Sequence, residues 1–235
     1  MLILGIDTAT DQVSAAIGGH EGVLGSVAVA RGRRHAETLT PAIEFLATQT
    51  GIGLDEIGVV AVDVGPGLFT GLRVGIATAK AMAYALRVPM IGVASLDLVA
   101  FPMRETGRLI VAAVDARRGE LFYALYRPVP GGVQRLGDYR VGSPRDLVSE
   151  IVARGEECLL VGDGARRYTD DFEGLSRVRV ADQEVAHPSA ASLVQLAHAQ
   201  ALREEFIQPW ELEPLYLRTP DAVANWTSRA DEASS

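Results

Sequence analysis

Residues 3–17, ILGIDTATDQVSAAI, set the reading of the whole chain. A short apolar run closes on Asp7. Five turn-forming residues follow, Thr8 to Gln12, and a second apolar run begins at Val13. A third run, residues 23–29, comes after glycines 18, 19 and 22. Short apolar runs split by Gly, Asp and Thr predict a three-stranded meander. The pattern returns 108 residues later: residues 111–125, VAAVDARRGELFYAL, set four small or apolar residues before Asp115, a turn at 116–120, then another run.

The flanking segments repeat in the same order. In the first half a helix is predicted over 37–49, where Leu39, Ala42, Ile43, Leu46 and Ala47 recur at three- and four-residue steps. Pro41 favours a first helical turn and so blurs where that helix starts. A β-branched strand at 57–64, a glycine-rich turn at 65–71, a helix at 72–86 and a strand at 90–93 complete the half. The second half reads as strands at 109–114, 121–126 and 133–141, then a helix. Ser143-Pro144-Arg145-Asp146 opens that helix with a capping serine, a first-turn proline and an early acid, and it runs to about residue 153. Strands at 158–161 and 178–180 and a helix at 188–205 follow. Agreement over several elements predicts an internal duplication. The expected fold is α/β, a duplicated two-lobed, ribonuclease H-like chain of the actin, sugar-kinase and Hsp70 type. Each lobe is a mixed sheet with helices. The lobes span 1–104 and 105–221, and residues 222–235 are expected to form a flexible tail.

Of 235 residues, 48% are hydrophobic and 22% charged, the composition of a chain that buries a core. The formal net charge is −8, which disfavours autonomous binding to a phosphate backbone. Only one cation is a lysine, Lys80, a bias that suits a GC-rich genome. The lone cysteine, Cys158, excludes an intramolecular disulfide and lies in an apolar run that suits a buried thiol. No stretch has a signal peptide's pattern or the ~20 apolar residues of a membrane span. The expected compartment is the cytoplasm.

Several groups could carry chemistry. Asp7 ends a strand beside Thr8 and Thr10. A carboxylate suits a hard divalent cation and hydroxyls suit phosphate oxygens, but the same residues also stabilise tight turns. In GPGLFTGLRVG, residues 65–75, four glycines and a proline turn the chain into a helix. Its backbone amides suit an anion, and its small residues equally suit close packing. It matches neither a P-loop nor a dinucleotide fingerprint. Asp7, Thr8, Gly65, Gly67 and Thr70 are therefore the expected anion- or nucleotide-facing loop. Along the following helix Gly67, Gly71, Gly75, Ala79 and Ala83 fall at four-residue steps, and Ala77, Ala81 and Ala85 do so on a neighbouring face. Two small faces predict two close neighbours, one of which could be a partner. Ala42, Leu46, Gly71, Gly75, Thr78 and Met82 are the expected interface residues. No two of the four histidines stand at the spacing of a helical metal pair, and a GxSxG elbow is absent. Arginines cluster at 31, 33 and 34, at 117 and 118, and at 166 and 167. Most such clusters are solvated surface, and a patch of them could touch RNA within a complex.

ILGIDTAT, RRHAETLTPAIEFL, GPGLFTGLRVGIATAKAMA, PMIGVASL, VDARRGELFYALY and PLYLR together resemble the TsaB (YeaZ) family across residues 1–218. That resemblance implies a part in making threonylcarbamoyladenosine in tRNA, next to the anticodon, as partner of the catalytic relative TsaD. TsaD-type subunits carry an HxxxH metal pair just after the strand matching residues 90–93. Here those two positions hold Ser95 and Val99, and Val99 cannot bind metal. The resemblance therefore implies a non-catalytic scaffold that binds and activates a TsaD-type subunit through the two helices of the first lobe. It further implies recruitment of a TsaE-type ATPase, contact with tRNA only through the complex, and no metal or cofactor of its own, with ATP or ADP at the complex interface. A homodimer is the expected alternative in isolation. The competing expectation is an enzyme, either a phosphotransferase of the sugar-kinase type or a glycoprotease-like metallopeptidase.

Overall fold

Alternate residues along the first strands point to opposite faces of the sheet. In β1 (Leu2–Asp7), Leu4 and Ile6 face one apolar core and Ile3 the other; in β4 (Ile57–Gly65), Val60 and Val62 divide from Val59 and Ala61 in the same way. Strands apolar on both faces need cover on both. Helices α1 (His35–Thr50) and α2 (Phe69–Leu86) cover one face, through Leu39, Ile43, Leu46, Ile76, Ala79 and Ala83. The computed structural model describes residues 1–32 and 34–218. The expected tail at 222–235 lies outside them.

The first sheet has the order β3-β2-β1-β4-β5, with β2 at Val13–Gly19, β3 at Gly22–Val29 and β5 at Met90–Ala94. The second has β11-β10-β6-β7-β8, with β6 at Leu109–Arg117, β7 at Glu120–Val129, β8 at Gly132–Arg135, β10 at Cys158–Val161 and β11 at Val178–Val180. In both, three antiparallel strands are followed by two parallel ones. The duplication thus holds for these five strands of each sheet.

The cores do not divide at residue 104. After β5, the short helix α3 (Ser95–Ala100) sends Leu96, Val99 and Ala100 into the core of the second sheet, against Ile110, Ala112, Phe122 and Tyr126. In return, the last helix, α6 (Ala190–Ala201), packs Ala190, Leu193, Val194 and Ala197 on the free face of the first sheet. The chain then stays with the first lobe. Ile207 pairs with Met90, Leu212 is buried in the α1–α2 core, and Leu215 N donates to Val64 O. The other face of the second sheet is covered by α4 (Pro144–Arg154) and α5 (Asp163–Arg167).

Four local details differ from the sequence reading. Helix α1 starts at His35, so Pro41 lies inside it. Pro41 is exposed, on the side where water can reach the carbonyl it leaves unbonded. The expected strand at 133–141 is two strands, β8 and β9 (Arg140–Gly142), because Gly137 turns at φ 87°. Both pair with β7. Helix α6 is shorter than 188–205: Ser189 caps Ser192 N, and Leu202 is already 72% exposed. The short helices α3 and α5 carry too few periodic residues to read from sequence. Ser143 caps α4 as expected, and Cys158 is buried. Among the described residues no helix is long and apolar enough to cross a membrane.

Because α6 covers the first sheet, a fragment ending at residue 104 would bare Ile3, Val59, Ala61, Ile91 and Val93. Such a fragment is expected to show no cooperative thermal transition by circular dichroism, where the full chain shows one.

Candidate functional site at the interlobe cleft

The turn between β1 and β2 is a junction of buried polar groups. Asp7 is fully buried; its Oδ1 accepts from Ala9 N at 2.9 Å and its Oδ2 from Ser14 Oγ at 3.0 Å. Thr8 Oγ1 donates to Gly71 O at 2.7 Å, and Leu68 N donates to Ala9 O at 2.7 Å. The glycine-rich turn therefore packs on this turn. A Cβ at Gly67 would strike Ala9 O, and one at Gly71 would strike Thr8 O. His35 Nε2 bonds Thr10 O at 2.8 Å, and Gln12 Nε2 donates to Pro188 O at 3.0 Å.

Asp63, beside Asp7 in the neighbouring parallel strand, is also buried. Its Oδ1 accepts from Ser95 Oγ at 2.6 Å and from Gly65 N at 2.8 Å. Burial pushes the Asp63 carboxyl well above the usual carboxylate range, and the neighbouring Asp7 charge pushes it further. Burial also raises Asp7, to about 6, against the hydrogen bonds it accepts. Both shifts favour the protonated form, and Asp63 Oδ2 has no hydrogen-bond partner among the described residues.

The second lobe repeats the pairing with different partners. Asp115 N donates to Asp163 Oδ1 at 3.0 Å. Asp115 is ion-paired to Arg117 at 3.0 Å and faces Arg167 at 3.5 Å. Arg117 reaches across to Asp11 of the first lobe at 2.7 Å. Burial raises the Asp163 carboxyl. Between the lobes lies a cleft of 380 Å³, walled by residues 66–70, the hairpin 115–118, Phe122 and residues 215–218. At its mouth Arg218 is held by Glu120 at 2.6 Å, and Phe69 is flanked by Tyr216 at 5.5 Å and by the Arg73 guanidinium at 3.9 Å.

Of the expected anion-facing residues, Gly67 and Thr70 line this cleft. Asp7 and Thr8 do not; both are buried behind it, their side chains spent on backbone and Ser14. Gly65 serves the turn itself, at φ 101° and packed on Leu72 and Leu215. The expected interface residues need a larger correction. Ala42 and Leu46 are 6% and 2% exposed and belong to the lobe's own core. Gly71 and Gly75 face Thr8, and Met82 packs against that same core; Thr78 is half-buried. The small stripe from Gly67 to Ala83 is the inward face of α2, because only residues without bulk let the helix approach the turn. The second stripe, Ala77, Ala81 and Ala85, is the exposed one; Tyr84 on the same helix and Phe45 on α1 are exposed as well. Arg31 and Arg34 are exposed before α1, and Arg33 lies outside the described residues. The sequence reading missed Asp63. Its signal was an acid inside an otherwise apolar strand.

A family model described as TsaD, tRNA N6-adenosine threonylcarbamoyltransferase, matches residues 10–226. The chain belongs to that family. Within the family, the Escherichia coli tRNA threonylcarbamoyladenosine biosynthesis protein TsaB is 31% identical, over 93% of this chain and 95% of its own length. An uncharacterized Mycobacterium leprae protein is 36% identical over 94% of this chain, which spans only 56% of that relative. Among solved structures, YeaZ from Pseudomonas aeruginosa superposes with a TM-score of 0.79 at 26% identity, covering 92% of this chain and 99% of its own. A dehydratase activator from Clostridium difficile, at 12% identity and TM-score 0.51, shares the two-lobed fold alone. Ser95 is fully buried on Asp63, and Val99 packs in the second core. Among the described residues no three His, Cys, Asp or Glu side chains cluster as a metal site.

The raised Asp63 carboxyl sets a pH dependence. Unfolded Asp63 loses its proton near 3.8, whereas the folded carboxyl keeps it to much higher pH. Over that window the folded state binds more protons, so this pair's contribution to stability falls as pH rises from about 4 to beyond 6. Asp63→Asn places a permanent amide donor toward Asp7 and keeps an acceptor for Ser95. Urea unfolding at several pH values is expected to show a flatter pH dependence than wild type. At pH 7 the variant should lie within about 1 kcal/mol of wild type or above it.

Proposed function

We propose that this chain is a non-catalytic subunit in the formation of threonylcarbamoyladenosine in tRNA, docking on a TsaD-type catalytic subunit. The observation that carries the reading is the fate of the acids and of the two ligand positions. A magnesium–phosphate site needs ionised carboxylates that reach solvent. Asp7 and Asp63 are buried and pushed toward their protonated forms, and Asp115 is paired with arginines. Ser95 and Val99 are consumed in the protein's interior. The scaffold supports binding, and its polar centre is occupied with holding itself together.

The docking surface of this proposal is the outer face of α1 and α2: Phe45 at 55% exposure, Tyr84 at 77%, and the exposed alanines 77, 81 and 85. Small side chains on an exposed helix face allow a partner helix to approach closely. In this reading the assembled complex, and not the acidic subunit, holds tRNA. A TsaE-type ATPase and any ATP or ADP join at the complex, and a homodimer on the same face forms only when the catalytic subunit is absent.

Ala81→Glu tests the surface. Ala81 is exposed, so the thermal melt is expected to stay at the wild-type temperature. Affinity for the TsaD-type subunit of the same organism, read by titration calorimetry, should fall by roughly a hundredfold or more, because an unpaired charge buried at a contact costs about 3 kcal/mol or more. Unchanged affinity would remove α2 from the interface. Threonylcarbamoyl transfer by this chain alone, with tRNA and the activated donor, would overturn the non-catalytic reading.

A further inference from the structure

The exposed face of α2 ends in a groove. Beyond Ala81 and Ala85 the helix closes at Arg87, in the left-handed conformation at φ 58°. There it meets the returning chain at 208–210. The two wall a cavity of 560 Å³, with Tyr84, Arg87 and Pro89 on one side and Gln208, Pro209 and Trp210 on the other. The frame is firmly held. Met90 and Ile207 exchange two backbone hydrogen bonds of 2.9 Å, Gln208 N donates to Glu211 Oε2 at 3.1 Å, and Leu212 is buried in the core.

Tyr84 and Trp210 are 77% and 72% exposed. Neither contacts another ring or a cation among the described residues. At the opposite end of α2, Phe69 is covered by both Tyr216 and Arg73. One end of the helix is therefore already satisfied and the other is not. Tyr, Trp and Arg are the residue types that most often dominate binding energy at protein contacts. This groove holds one of each, and Arg87 is the one charged residue lining it among the described residues.

The groove continues the exposed face of α2, so a partner helix lying along Ala77, Ala81 and Ala85 runs onto it.

We infer that this groove anchors the interface. An apolar side chain of the TsaD-type subunit seats between Tyr84 and Trp210, and a carboxylate of that subunit pairs with Arg87. The inference rests on the docking through α1 and α2 proposed above.

Titration calorimetry of the full chain against the TsaD-type subunit tests it, with Tyr84→Ala, Trp210→Ala, Arg87→Ala and Leu202→Ala compared beside Ala81→Glu. Leu202, 72% exposed and outside the groove, is the control. Tyr84→Ala and Trp210→Ala should each weaken binding roughly tenfold or more. Arg87→Ala should weaken it several-fold at low salt and flatten its salt dependence, and Leu202→Ala should change nothing. Thermal melts monitor folding, and Arg87→Ala, in the groove and not on the docking face, decides the matter through its salt dependence should Trp210→Ala lose structure. If Ala81→Glu abolishes binding while both aromatic variants bind within twofold of wild type, the groove is not the anchor and the docking face stands. If the aromatic variants lose binding while Ala81→Glu does not, the groove stands and the helix face falls. If the aromatic variants alter only self-association of this chain, the groove belongs to a homodimer and the inference is overturned.

Discussion

Everything in the first lobe is built around the buried turn between β1 and β2. Asp7, Thr8, Ala9 and Thr10 are all buried, and each is tied to a different part of the chain: Ser14, the two ends of the glycine-rich turn, and the start of α1. Burying so many polar groups is tolerable only if each is hydrogen-bonded. The packing around them follows from that requirement. Gly67 and Gly71 must lack side chains so that α2 can press on Ala9 and Thr8. A carboxylate at the end of β1 has no room for solvent and accepts from Ser14 and Ala9 instead.

The same constraint shapes both lobes. In each lobe the strand-end aspartate stands beside a second acid, Asp7 by Asp63 and Asp115 by Asp163. Burial favours protonation of the first pair, and Arg117 and Arg167 face Asp115 of the second. Either solution offsets the charge of a buried acid pair. It also stiffens the protein, because Arg117 joins the two hairpins through Asp11.

The lobes are also joined by exchange. Helix α3 follows β5 of the first sheet but completes the core of the second; α6 follows β11 of the second but completes the core of the first. Each sheet is apolar on both faces and would stand half-bare without the other half's helix. The returning segment 207–215 is fixed at the same time. This leaves Trp210 beside Tyr84 at the end of α2, although 126 residues separate them.

Much was determined by the residues in order. The strand-turn-strand pattern around Asp7 and Asp115 specified the duplication, since period-two burial and turn chemistry are local properties. The capping of α4 was legible for the same reason. What sequence alone could not assign was direction. Two small-residue stripes on α2 look alike as strings, yet one faces Thr8 and the other faces water. Ala42 and Leu46 read as equally available to a partner until the sheet beneath them was in place. Asp63 gave no sign that it stood beside Asp7, because parallel pairing joins residues far apart in the chain. Only the tertiary structure decides which face of a helix is covered and which acids meet, because both depend on what the rest of the chain packs against them.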